Sequence, residues 1–209
     1  RMYIPPAFRE DRLEVLHELM CAHPLATLVV MGADGLTAGH MPLLLKAGDG
    51  ESGTLQGHFA RANPVWHDFN PDIDALAVFQ GPQHYVTPSW YPSKAEHGKV
   101  VPTWNYAVVH AHGRLTIFED TAWLTDHLNA LTATQETPRD LPWAVSDAPA
   151  DYLEKQLKGI VGFEIPIRRL EGKWKMSQNR GEADRRGVVD GLEAERTESA
   201  AEVARNIPV

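Results

Sequence analysis

Apolar and polar residues alternate in short runs along most of this chain, and turn residues cut the runs too closely for crossover helices to fit between them. ATLVVM at 26–31, LTAGHMPLLLK at 36–46, TLQGHF at 54–59 and ALAVFQ at 75–80 have strand length and strand composition. GADG and AGDGESG separate the first three, so an antiparallel meander is expected in place of βαβ units. NYAVVHAHGRLTIFE at 105–119 predicts one long strand bent at Gly113, and 159–174 alternates again. The period changes in few places. Leu13, Leu16 and Met20, widened by Val15 and Leu19, predict a helix over 9–21 that ends at His23-Pro24. Asp120 is placed to cap a helix with the stripe Leu124, Leu128 and Leu131, a short helix follows near 152–157, and 181–206 reads as a polar, weakly amphipathic helix or tail. The sum is a mainly β, α+β fold: an antiparallel barrel or sandwich with peripheral helices, in which closure would remove exposed strand edges.

The stretch HYVTPSWYPSKAEHGKVVPTWNY, 84–106, departs from this pattern. Trp90, Trp104, Tyr85, Tyr91 and Tyr106 flank PSKAEHGK, which reads as a loop, while Pro88, Pro92 and Pro102 put the flanking pieces at strand ends or a sheet edge. Thr87, Ser89, Thr103 and Asn105 interleave hydrogen-bonding groups with the rings. Such a surface suits a planar, heteroatom-rich ligand, and packing at strand ends would use the same residues. GHFARANP, 57–64, follows a strand and opens a helix. Gly57 permits the turn, the amides of a helix start attract an anion, and His58 and Arg61 could add to a phosphate cradle. The spacing is not that of a P-loop, and an ordinary strand-to-helix turn has the same look.

Composition narrows the function classes. A chain of 209 residues, 43% hydrophobic and 23% charged, is long enough for one globular domain with a sizeable core. Its net charge of −8 works against non-specific nucleic-acid binding. The run Arg168 to Arg180, RRLEGKWKMSQNR, is either a local basic patch or a solvated face. A single cysteine, Cys21, cannot form an internal disulfide and is expected as a small core residue of the first helix. With no charged-then-apolar leader legible, the expected compartment is the cytoplasm, and no apolar run approaches the roughly 18 residues of a membrane helix. His110 and His112 share one strand face, but no acidic or thiol third ligand is legible beside them, so no metal site is expected. Haem remains a rival ligand among ten histidines. Ser89 lies in no G-x-S-x-G elbow, so a hydrolase triad has no support.

MYIPPAF, GHMPLLL, GHFARANP, YVTPSWY, VPTWNY and KWKMSQNR occur in the order in which such segments appear in the PaiB family of FMN-binding negative transcriptional regulators, and together they span nearly the whole chain. The sequence resembles that family, a branch of the FMN-binding split β-barrels related to pyridoxamine-phosphate oxidases and flavin reductases. The resemblance implies a Greek-key split β-barrel over residues 1–180, with 181–209 packing on the same domain. It also implies a homodimer with two FMN sites at the subunit interface. Carried over residue by residue, it implies flavin contacts from His40, Met41, Pro42 and Leu43, and a phosphate region at His58, Arg61 and Asn63. Ser89, Trp90, Tyr91, Thr103, Trp104 and Asn105 would line the flavin, and Trp174, Lys175, Gln178 and Arg180 would close the site. The chain departs from the oxidases' Arg and Lys phosphate contacts, having His58 and one arginine in the turn. Two activities fit the resemblance: flavin-dependent regulation through a partner, with no helix-turn-helix for direct DNA binding, or an FMN-dependent oxidoreductase fed by NAD(P)H.

Overall fold

A computed structural model describes all residues, 1–209. In chain order the elements are β1 (Arg9–Glu10), α1 (Leu13–Ala22), β2 (Leu25–Gly32), β3 (Gly35–Pro42), β4 (Leu44–Lys46), β5 (Thr54–Ala60), α2 (Val65–Asp68) and β6 (Ala75–Val86). They continue with α3 (Ser93–His97), β7 (Thr103–Gly113), β8 (Thr116–Phe118), α4 (Thr121–Glu136), α5 (Ala150–Lys158), β9 (Ile160–Lys175), α6 (Glu182–Ala194) and α7 (Glu198–Arg205). The strands form one nine-stranded antiparallel sheet in the order β3-β2-β6-β7-β9-β5-β4, with β1 and β8 also paired to β9. The expected antiparallel α+β class is the observed one.

Several boundaries differ from the pattern reading. Arg9 and Glu10 pair with Lys173 and Gly172 as a short strand, so the first helix starts at Leu13. The 36–46 run divides at Leu43, whose amide bonds to the Pro24 carbonyl instead of a ladder partner. The 105–119 run is two strands, because a Cβ at Gly113 would lie 2.2 Å from the Pro166 carbonyl oxygen and the chain turns there. PSKAEHGK is not a plain loop: Ser93–His97 make a helical turn closed by Gly98 in the left-handed region at φ 67, its amide bonding to the Lys94 carbonyl. The C-terminal segment is two helices, α6 burying Val188 and Leu192, and α7 burying Ala200, Val203 and Ala204. Cys21, expected in the core, is exposed.

By contact density the chain forms two units. One comprises Arg1–Ala22, Gln80–His110 and Glu171–Val209, and the other His23–Phe79 and Ala111–Leu170. Within the second, β5 pairs with β9 from Thr54↔Pro166 to Ala60↔Ile160, and one face of β5 buries Leu55, Gly57 and Phe59. Phe59 stacks on Phe163 at 4.5 Å, and a Cβ at position 57 would meet the Phe163 ring at 2.5 Å, which is why that position is glycine. The opposite face of β5 carries Gln56 and His58, over which α4 lies with Trp123 and His127. The first unit buries Leu16, Leu19 and Met20 of α1, Val86, Tyr91, Met176 and the inner faces of α6 and α7. No helix is long and apolar enough to cross a membrane.

Candidate functional site

Within the first unit, Tyr91, Thr103, Asn105, Lys175, Ser177, Asn179 and Arg180 line a pocket of about 40 Å³, room for a few waters or one small oxyanion. The end of β9 and the turn after it build one wall. The side-chain amide of Gln178 fastens the turn to itself, accepting from the Met176 amide at 2.7 Å and donating to the Trp174 carbonyl at 2.6 Å. Ser177 sits in the left-handed region at φ 63, where residues other than glycine are uncommon. Asn105, 1% exposed, donates to Ser177 Oγ at 3.0 Å. Lys175 reaches back to β7, donating to Thr103 Oγ1 and, at 2.7 Å, to the Trp104 carbonyl. Arg180 lies over the Tyr91 ring, its Cζ 4.7 Å from the centroid.

Cations are the charged groups that line this pocket. Lys175 is bound only to neutral oxygens, and Arg180 has no carboxylate partner. Asp184 is engaged elsewhere, accepting from the Ser93 amide at 3.1 Å and hydroxyl at 2.7 Å. Burial, then the charges of Lys173 and Arg180, pull Lys175 below the ordinary lysine range. Burial and, more weakly, the charge of Asp184 push the Tyr91 phenol up, while nearby Arg180 opposes the rise. The buried phenol oxygen has no partner that meets hydrogen-bond geometry, although Arg180 lies close enough to act on it.

Of the residues expected at the flavin, the pocket brings together Tyr91, Thr103, Asn105, Lys175 and Arg180. Ser177 and Asn179 were not among them, and the left-handed serine has no sequence signature. Trp90 instead lies against α6, where Gly187 and Gly191 make room for it. Trp104 is half-exposed and donates to Gln83 Oε1 at 3.0 Å, and Ser89 accepts from Lys94 at 3.2 Å. Trp174 and Gln178 shape the turn. His110 has a neighbour that strand spacing did not disclose, the Glu171 carboxylate, within 4.8 Å of a ring nitrogen.

In the second unit, Met41 and Asn63 meet in a mainly apolar groove of about 150 Å³ with Leu28, Val30, Gly39, Phe59 and Val65. His40 and Pro42 are exposed on edge strand β3, and Leu43 is buried beside Gly57. His58 turns away from the groove. Its Nδ1 lies 3.1 Å from Nε2 of His127, a buried histidine that stacks on Trp123 at 5.3 Å and whose own Nδ1 has no partner. Arg61 is also engaged: it donates to the Lys158 carbonyl at 2.9 Å, the Ile160 carbonyl at 3.1 Å and Glu119 Oε2 at 2.6 Å. The helix after the turn has four residues, and its Val65 amide donates to Asn63 Oδ1 at 3.1 Å. The GHFARANP turn therefore offers a neutralised cation and a single-turn helix where the motif suggested an open cradle.

This antiparallel sheet with its helices is a fold shared with a solved protein of low sequence identity. The conserved hypothetical protein Rv2991 from Mycobacterium tuberculosis superposes with a TM-score of 0.59 at 12% identity, over 87% of this chain and 95% of that one. The chain belongs to the family described as "Putative FMN-binding domain", whose model matches residues 2–169. It is 34% identical to the protease synthase and sporulation protein PAI 2 of Bacillus subtilis, over 97% of this chain and 95% of that protein. It is also 36% identical to protein AN0679 of Emericella nidulans, over 92% of this chain and 90% of that one.

Proposed function

We propose that this protein binds FMN as a homodimer and acts as a flavin-dependent regulator through a protein partner. The observation that carries the reading is the match of residues 2–169 to an FMN-binding-domain family. The donor sets fit such a cofactor. The pocket of the first unit supplies two cations and a phenol without a hydrogen-bond partner, suited to an anionic group of the cofactor. When bound, FMN would supply electron transfer at its ring, while the protein binds and orients it. The name of the Bacillus subtilis relative, protease synthase and sporulation protein, is what supports the regulatory half. The net charge of −8 favours a protein partner over direct DNA contact.

Sedimentation velocity of the full chain with and without FMN, paired with stopped-flow mixing of the loaded protein with NADH and NADPH, tests this reading. A flavin-bearing dimer reduced slowly by either nucleotide is expected. A flavin-free monomer under loading conditions contradicts the proposal, and rapid reduction by one nucleotide replaces regulation with an oxidoreductase.

A further inference from the structure

We propose that the pocket bounded by Tyr91, Thr103, Asn105, Lys175, Ser177 and Arg180 binds a phosphate-type oxyanion. The residues of the post-β9 turn that build it, 177–180, lie beyond the part of the chain that the FMN-binding-domain model matches, as does Lys175. The inference deepens the flavin reading, since the oxyanion is either the cofactor's own phosphate or that of a separate ligand.

Four observations converge on it. The basic run 168–180 is not simply a solvated face. Arg168 pairs with Asp74 at 3.0 Å and Lys173 donates to the Tyr3 carbonyl at 3.1 Å, whereas Lys175 and Arg180 alone among its cations line the pocket. In an acidic protein, two adjacent cations lacking a carboxylate repel one another and gain from an anion between them. Tyr91 is 2% exposed, and its phenol oxygen, without a partner here, is a donor that a bound oxyanion would satisfy. Ser177 is held in a costly backbone conformation by the Asn105 bond and the Gln178 clamp, and strain of this kind is kept where the surroundings over-determine it. The alternative anion site fails on the same criteria, because Glu119 already neutralises Arg61 in the 57–64 turn.

The test is calorimetric titration of the full-length protein with inorganic phosphate at constant ionic strength, chloride being the reference anion. FMN and riboflavin are titrated in parallel. Saturable phosphate binding is expected, weakened about tenfold or more in Arg180→Gln. Tyr91→Phe should weaken it several-fold while leaving the thermal midpoint in anion-free buffer unchanged or raised, because the phenol it removes has no partner there. Two outcomes identify the source. If the anion is the cofactor's, bound FMN blocks phosphate and Arg180→Gln erases the preference for FMN over riboflavin. If the anion belongs to another ligand, phosphate still binds the FMN-loaded protein and the preference survives. Phosphate binding in a protein that takes up no flavin supports the pocket and defeats the FMN reading alone. No phosphate heat beyond chloride, together with an FMN-to-riboflavin ratio untouched by Arg180→Gln, overturns the inference.

Discussion

His127 shows how much one side chain can depend on its neighbours. Burial, the adjacent His58 and then Lys46 hold its imidazole down to about 4 from 6.5. The folded protein therefore keeps this ring neutral where the unfolded chain would protonate it. Stability from this residue is complete above pH 6.5, declines as pH falls through the window, and levels off below about 4. By pH 5 the loss is about 2 kcal/mol. His127→Phe keeps the stack on Trp123 and removes the titration, so urea midpoints at pH 7 and pH 5 should lie closer together in the variant. Equal spacing in both proteins would remove His127 as the cause. Ser177 makes a second residue-scale case. Ser177→Ala keeps a side chain at φ 63 and strips Asn105 of its acceptor, at an expected cost of about 1–3 kcal/mol. Ser177→Gly loses the same bond but relaxes the backbone, so it should be more stable than the alanine variant by about 1 kcal/mol.

Helices seat on this protein where glycine lets a ring or a backbone approach. A Cβ at Gly191 of α6 would lie 2.3 Å from the Trp90 ring, and one at Gly187 would lie 2.0 Å from the Trp90 carbonyl oxygen. Gly191→Ala should cost about 1–3 kcal/mol and shift tryptophan emission to the red, as Trp90 is lifted off the helix. Gly48→Ala, with nothing within 4 Å of the added methyl, is the neutral control. An emission spectrum unchanged in Gly191→Ala would contradict the contact. At this scale the sequence was readable for a stated reason. The alternation of residues 26–31 and 54–59 reports burial on one sheet face, and that face exists in β2 and β5. The limits of β6 were not readable, because Gly81-Pro82 looks like a stop, yet the strand runs on to Val86. Position 81 needs glycine for another cause: a Cβ there would meet the Leu19 side chain at 2.7 Å.

Across the whole molecule, what could not be read from the sequence was pairing at a distance. Arg61 looked like an available phosphate contact because Glu119 stands 58 residues away, and His58 looked like a ligand because His127 stands 69 away. Trp90, expected at the flavin, packs on two glycines of a segment that read as a polar, weakly amphipathic helix or tail. Five of the seven residues lining the first unit's pocket were visible as residue types in YVTPSWY, VPTWNY and KWKMSQNR, because buried Tyr, Asn, Lys and Arg are costly unless a partner or ligand satisfies them. Their convergence needed the fold. The central claim, that this chain is a flavin protein, is tested most directly by the visible absorption spectrum of the full chain after loading with FMN and gel filtration. The account predicts flavin bands near stoichiometric with the chain. A folded protein that emerges without flavin would contradict it, and a Soret band in the protein as purified would give the site to haem.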